Sequence, residues 1–207
     1  MMTQTDYDIY NWVPLSPKEV CALLSALAVP WWIAGGWAID LFVGRQTRTH
    51  GDIDVLVLRK DQLKVQKYLA DWDLHKTQQP GLKPWPEGEF LHLGINDVWC
   101  RRTPDAPWAM QLMFMDTKGT SWIFRRDQRI SEPLEKLGRQ TPSGASYVAP
   151  QVQLLFKSND PELDRNRADF ETILPLLSSQ EKDWLLERLN FLFADGHPWI
   201  APLKQSK

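Results

Sequence analysis

The residues best suited to chemistry lie within positions 31–57, WWIAGGWAIDLFVGRQTRTHGDIDVLV. Asp52 and Asp54 stand two apart at the head of an apolar, β-branched run. Strand residues at that spacing project to one face, which predicts two carboxylates side by side with Ile53, Val55 and Val57 opposite. Two close carboxylates repel, and one tends to keep its proton. A divalent cation removes that penalty. Such a pair can hold two Mg²⁺ ions about 3.5–4 Å apart, the separation used in phosphoryl and nucleotidyl transfer. Mg²⁺ takes hard oxygen ligands, often one or two carboxylates plus substrate phosphates. Gly35 and Gly36 form a turn without side chains. Its backbone N–H groups and the following helix N-terminus can cradle a phosphate chain. Arg45, Arg48 and His50, between the glycines and the aspartates, offer countercharge. Gly-Gly alone is most often a turn, and Asp-x-Asp alone a solvated strand end. On one strand–turn–helix–loop–strand path the two are far more specific.

The elements that must position these groups are legible in outline. Ser16-Pro17-Lys18-Glu19 is a capping box with Pro at the first helical position, predicting a helix to about residue 28 that Pro30 stops. Residues 31–34 read as a strand, 37–43 as a helix and 52–58 as a strand. A helix over 60–71 and a short strand at 74–76 follow. Residues 77–89 (TQQPGLKPWPEGE) are Pro/Gly-rich and predict a long loop, a candidate lid or substrate loop. Strands are expected at 90–93, 97–101 and 121–125, with the apolar run 108–115 (WAMQLMFM) as a central one. After residue 149 the pattern turns helical: 150–157, 164–177, and a helix from the capping box at Ser178 that turns Leu185, Leu189 and Leu192 inward. The predicted fold class is α+β. A mixed sheet flanked by helices fills residues 1–148, and a small helical domain fills 149–207.

Composition narrows the function classes. The chain has 207 residues, 43% hydrophobic and 24% charged, as in ordinary soluble domains. A net charge of -2 without a basic stripe argues against a long nucleic acid as partner. Cys21 and Cys100 are the only cysteines, which fits a reducing compartment and a cytoplasmic protein. The opening MMTQTDYDIYNWVP lacks the basic and apolar blocks of a signal peptide. No apolar run approaches the roughly 20 residues that span a bilayer. Eleven tryptophans supply core, and some could stack on a base or a sugar. No feature speaks to oligomeric state.

The run GGWAIDLFVGRQTRTHGDIDV resembles the nucleotidyltransferase fold of the DNA polymerase β superfamily. It looks most like the aminoglycoside and lincosamide nucleotidyltransferase group. The pattern there is Gly-Gly or Gly-Ser, a helix, then h-Gly-Asp-h-Asp-h with h apolar. Gly35, Gly36, Gly51, Asp52, Ile53, Asp54 and Val55 match it, and His50 stands at the first h. A weaker likeness runs through PWAMQLMFMD, IFRRDQRI and YVAPQVQLLFKS to ADFETILPLL. The resemblance implies transfer of a nucleoside monophosphate, usually from ATP, to a hydroxyl acceptor with release of pyrophosphate. It implies that Asp52 and Asp54 bind the metals, two Mg²⁺, and that Gly35 and Gly36 hold the triphosphate. It further implies a third carboxylate on a neighbouring central strand, as metal ligand or base. The run at 108–115 offers Gln111 there, which cannot act as a base. Asp116 at the end of that run is one substitute, although an offset of five turns it away from Gln111 in a regular strand. Asp97 on the preceding strand is another.

Arg48 and Lys157 are further candidates for the triphosphate. Lys157 has an equal alternative in a salt bridge to Asp169. Arg125 and Arg126 could meet phosphate or simply be solvated. Glu87 and Glu89 could meet a cationic or polyhydroxyl acceptor, although loop solvation is the commoner fate. The reading is a Mg²⁺-dependent nucleotidyltransferase, with ATP or another NTP as donor and a small-molecule acceptor, by analogy an aminoglycoside-like antibiotic. Its rivals are a toxin-type enzyme acting on tRNA or protein, which would want a basic groove between the domains, and a catalytically silent nucleotide-binding module, which Gln111 suggests. A glycosidase is disfavoured, because carboxylates at i and i+2 of one strand do not flank a glycosidic bond.

Overall fold

A computed structural model describes residues 9–79 and 81–206; the N-terminal segment before residue 9 and Pro80 lie outside the described residues. The first helix, α1 (Pro17–Leu23), opens on the capping box, with Ser16 Oγ accepting from Glu19 N and Glu19 accepting from Ser16 N. It ends five residues earlier than its composition suggests. Strand β1 (Trp31–Ala34) runs straight into helix α2 (Gly35–Val43), so the two glycines form the first turn of the helix and not a separate bend. After a loop come β2 (Asp54–Leu58), a short 3₁₀ turn, and α3 (Gln62–Tyr68). The expected helix at 60–71 is thus split.

The middle of the chain is strand-rich: β3 (Asp73–Thr77), β4 (Leu82–Pro84), β5 (Asp97–Arg101), β6 (Met110–Lys118), β7 (Ser121–Ile123), β8 (Ser131–Pro133), β9 (Gly138–Gln140) and β10 (Ser146–Val148). The strand expected at 90–93 does not form; those residues run as irregular chain against α3. Helices α4 (Pro150–Lys157), α5 (Asp164–Ile173), α6 (Ser179–Leu192) and α7 (Ile200–Gln205) complete the chain. The boundary expected after residue 148 falls between β10 and α4.

Among the described residues the strands form one ten-stranded mixed sheet, ordered β4-β3-β5-β6-β2-β1-β10-β9, with β7 on the far half of β6 and β8 beside β7. The β2–β6 and β1–β10 pairs are parallel. This is the α+β architecture read from the sequence, and the run WAMQLMFM is central in it.

Register decides what faces the site. Ala34 lies opposite Asp54, Asp54 opposite Gln111, Gln111 opposite Trp99, and Trp99 opposite His75. One row therefore crosses five strands on a single face. Helices α4 and α5 close over the β1–β2 end of that face, where α2 packs against both. On the other face Phe114 meets Trp85 edge-on at 5.9 Å, and α3 sits beneath the segment 85–91. Buried Val55, Val57, Leu112, Leu155, Phe170, Leu185 and Trp199 all belong to one continuous core.

Candidate active site

The site begins where β1 becomes α2. Gly35 has φ +67°, in the left-handed region that glycine enters without penalty. A Cβ there would land on the Asp54 carboxylate, so the acid is seated directly against the glycine backbone. A Cβ on Gly36 would collide with the Arg48 guanidinium and the His50 ring. Bare backbone at both positions lets three side chains close over the start of α2. The Gly35 N–H is already engaged, donating to Gln153 Oε1 of α4 at 2.9 Å. The rest of the first turn carries no side-chain cap, which leaves its positive end open toward the cavity.

Asp52, Asp54, Gly35, Gly36, Arg48 and Lys157 all line one cavity of about 360 Å³. Asp52 lies outside the strand, two residues ahead of β2, and is exposed; Asp54 is half-buried. Burial, then the negative charge of Asp52, pushes the Asp54 carboxyl up to about 7, with Lys157 pulling the other way. Two carboxylates in this state are a poor resting arrangement and a good cation ligand pair. Among the described residues no cluster of three or more His, Cys, Asp or Glu is placed to hold a metal.

Arg48 and Lys157 reach the cavity differently from a free phosphate grip. Both bind Asp169, whose side chain is 1% exposed: Arg48 in fork geometry at 2.9 and 3.1 Å, Lys157 at 2.9 Å. The alternative salt bridge for Lys157 is the one formed. Asp169 of α5 thereby ties the loop before β2 to α4. Arg125 and Arg165 also line the cavity and make no hydrogen bond or ion pair among the described residues, while Arg126 donates to the Phe156 carbonyl at 2.7 Å.

Asp116 must be withdrawn as a catalytic candidate. It alternates with Gln111 along β6, so it projects from the opposite face, where Arg59 holds it at 2.6 Å. Asp97 is on the correct face, opposite Met113 and hydrogen-bonded by Gln111 Nε2 at 3.2 Å. Burial raises its carboxyl above the usual range, offset in part by Arg125 and by the Gln111 bond. The lid reading also fails. Trp85 is buried, and Gln62 and Gln66 of α3 bind the backbone at Trp85, Pro86, Gly88 and Leu91. Glu89 is paired with Lys76. The loop therefore belongs to the back of the sheet.

Asp40 was not singled out from the sequence. It is buried on α2, meets His50 Nε2 at 2.5 Å and accepts from Thr47 N and Oγ1 at 3.0 and 2.5 Å. This network fixes the loop that delivers Arg48 and Asp52. Its only signal was an acid inside the otherwise apolar AIDLF.

A family model, aminoglycoside-2''-adenylyltransferase, matches residues 18–80. A lincosamide resistance protein from Staphylococcus haemolyticus is 24% identical over 153 residues, covering 73% of this chain and 88% of that protein. The chain has the backbone of these enzymes as well: it superposes on the lincosamide antibiotic adenylyltransferase LnuA with a TM-score of 0.54 at 17% identity, over 78% of this chain and 98% of that one.

The chain has the nucleotidyltransferase fold.

Its further matches are to antibiotic-modifying nucleotidyltransferases as well. A 2''-aminoglycoside nucleotidyltransferase from Escherichia coli is 63% identical, but over 37 residues only, 18% of this chain and 21% of that protein. The solution structure of ANT(2'')-Ia matches with a TM-score of 0.52 at 14% identity, over 86% and 91% of the two chains. Among the described residues no helix of this nucleotidyltransferase-fold protein is long and apolar enough to cross a membrane.

Proposed function

We propose that this protein is a Mg²⁺-dependent nucleotidyltransferase that moves a nucleoside monophosphate, from ATP or another NTP, to a hydroxyl of a small, antibiotic-like molecule. The observation that carries the reading is the seating of the Asp54 carboxylate on Gly35, with Asp52 in the same cavity. One metal-bound triphosphate can touch both the acids and the uncapped start of α2. The donor set fits Mg²⁺: two carboxylates, with phosphate oxygens and water to complete the shell. When bound, the metal would neutralise the acid pair and the phosphates and polarise the phosphoryl group under attack.

The residues around it divide the remaining work. The start of α2 and the cations Arg125, Arg126 and Arg165 would orient the phosphate chain. Asp97, on the same face as Asp54 and without a cationic partner at hydrogen-bond distance, would accept the proton of the acceptor hydroxyl. Gln111 would hold Asp97 in place. Residues 149–207 supply the wall opposite the sheet, and most of the effect is positioning. A macromolecular acceptor is less well supported, because Arg48 and Lys157 are spent on Asp169 and the whole chain is acidic.

Pyrophosphate release with Mg²⁺-ATP across a panel of hydroxyl acceptors tests the proposal. Turnover should fall at least 100-fold in Asp97→Asn with Mg²⁺-ATP affinity retained, and stay near the parent value in Asp116→Asn. An Asp54→Ala protein that binds Mg²⁺-ATP as well as the parent would refute the metal assignment. Mg²⁺-ATP binding without turnover of any acceptor would favour the silent module.

A further inference from the structure

The row across the sheet does not stop at the acids. Asp54, Gln111 and Trp99 occupy directly opposed positions on β2, β6 and β5. At about 4.8 Å per strand, Trp99 stands roughly 10 Å from Asp54, the span of one or two six-membered rings. Trp99 is half-buried and held edge-on by Trp12 at 4.8 Å and by Trp108 at 5.6 Å. Trp12 is itself anchored, its Nε1 donating to the Ile9 carbonyl at 3.1 Å. The result is a rigid aromatic edge beside the carboxylate proposed as base. Between it and Asp54 lies a neutral amide, Gln111.

Charge placement excludes one class of occupant. A polycation needs several carboxylates that are not already spent. Asp52 and Asp54 face the triphosphate side. Asp116 and Glu89 are on the other face of the sheet, bound to Arg59 and Lys76. Asp73, at the far end of this face, is bound to Arg101 and His75. Asp97 remains, with the charge of Arg125 acting on it, and Asp160 lines the triphosphate cavity, where its charge acts on Arg126. Glu87 is carried by the segment that Gln66 pins to the back.

We infer that the acceptor of this enzyme is an uncharged ring compound of the glycoside class, bound by stacking on Trp99 across Gln111 from Asp54, and that polycationic acceptors are not recognised. This rests on the nucleotidyltransferase reading and narrows its acceptor. Sugar C–H faces stack on indole and amide groups serve neutral hydroxyls, whereas a polycation must desolvate several ammonium groups at once, more than a single cation–π contact and one amide oxygen offset.

Ligand-observed NMR tests this on the whole protein with Mg²⁺ and a non-hydrolysable ATP analogue present. The probes are phenyl β-D-glucopyranoside, neutral and ring-bearing, and tobramycin, a polycation. The glycoside should show saturation transfer and tobramycin should not. Trp99→Ala should weaken glycoside binding about tenfold, the loss expected for one aromatic contact, and Trp99→Phe should restore most of it. Thermal unfolding shows whether each variant is folded, and Trp99→Phe carries the comparison if Trp99→Ala is not. Preference for tobramycin, absence of glycoside binding, or glycoside binding unaffected at Trp99 overturns the inference alone. Failure of the ATP analogue to bind brings down the nucleotidyltransferase reading, and the acceptor assignment with it.

Discussion

Replacing Asp54 with asparagine should make the metal-free protein more stable, by an amount that depends on pH. Burial and the neighbouring Asp52 lift the Asp54 carboxyl from its ordinary 3.8 to about 7. The folded chain therefore holds a proton there through a window in which the unfolded chain has lost it. Unfolding releases that proton, so stability declines as pH rises from about 4 to about 7, and the full cost is present above 7. By linkage the displacement corresponds to at most about 4 kcal/mol at pH 8 and about 1 kcal/mol at pH 4.5. Asparagine resembles the protonated acid in shape and carries no charge. In EDTA, Asp54→Asn should unfold on the order of 10 °C above the parent at pH 8, since a chain of this size shifts about 2–4 °C per kcal/mol. The two should nearly coincide at pH 4.5. Mg²⁺ should then raise the parent's transition at pH 8 and leave the variant's unchanged. The measurement is differential scanning calorimetry at both pH values, with and without the metal. Parallel pH dependence in the two proteins, or a variant that gains as much from Mg²⁺ as the parent, would refute the picture of a crowded acid pair awaiting a cation.

Two further outcomes follow from contacts on the same cavity. Gly35→Ala combines a positive φ, costing about 1–2 kcal/mol, with a methyl group placed on the Asp54 carboxylate. It should abolish pyrophosphate release and lower the melting temperature by a few degrees. Asp169→Asn leaves Arg48 and Lys157 facing each other without their shared counterion, at a cost of about 3–5 kcal/mol for breaking a buried pair. Urea titration should show the midpoint falling accordingly, and added phosphate should recover part of the loss.

How much of this could be read beforehand depended on the range of the interaction. The strand period of two placed Asp54 with its face and set Asp116 against Gln111, because an odd offset inverts a side chain whatever the strand packs on. The capping boxes at Ser16 and Ser178 are likewise local, and both form as written. What escaped notice was set by partners distant in sequence. Arg48 and Asp169 are 121 positions apart, and nothing in either neighbourhood marks them as a pair. The 77–89 segment has the Pro/Gly content of a mobile lid, yet Gln66 of α3 binds its backbone at Trp85, Pro86 and Gly88 on the back of the sheet, and Gln62 holds Leu91 just beyond it. Strands β8, β9 and β10 are three residues each, too short to show a period. The third carboxylate shows how local and long-range information combine. Asp97 had no distinguishing feature in its own strand, and only the β5–β6 register carries it to the face that Asp54 occupies. A Gln in the strand next to the acid pair is then compatible with catalysis, because the neighbouring strand supplies the acid that the amide holds in place. If Asp97→Asn retained full turnover, the base would be another group; only a parent that binds Mg²⁺-ATP and turns over no acceptor would make Gln111 the mark of a protein that transfers nothing.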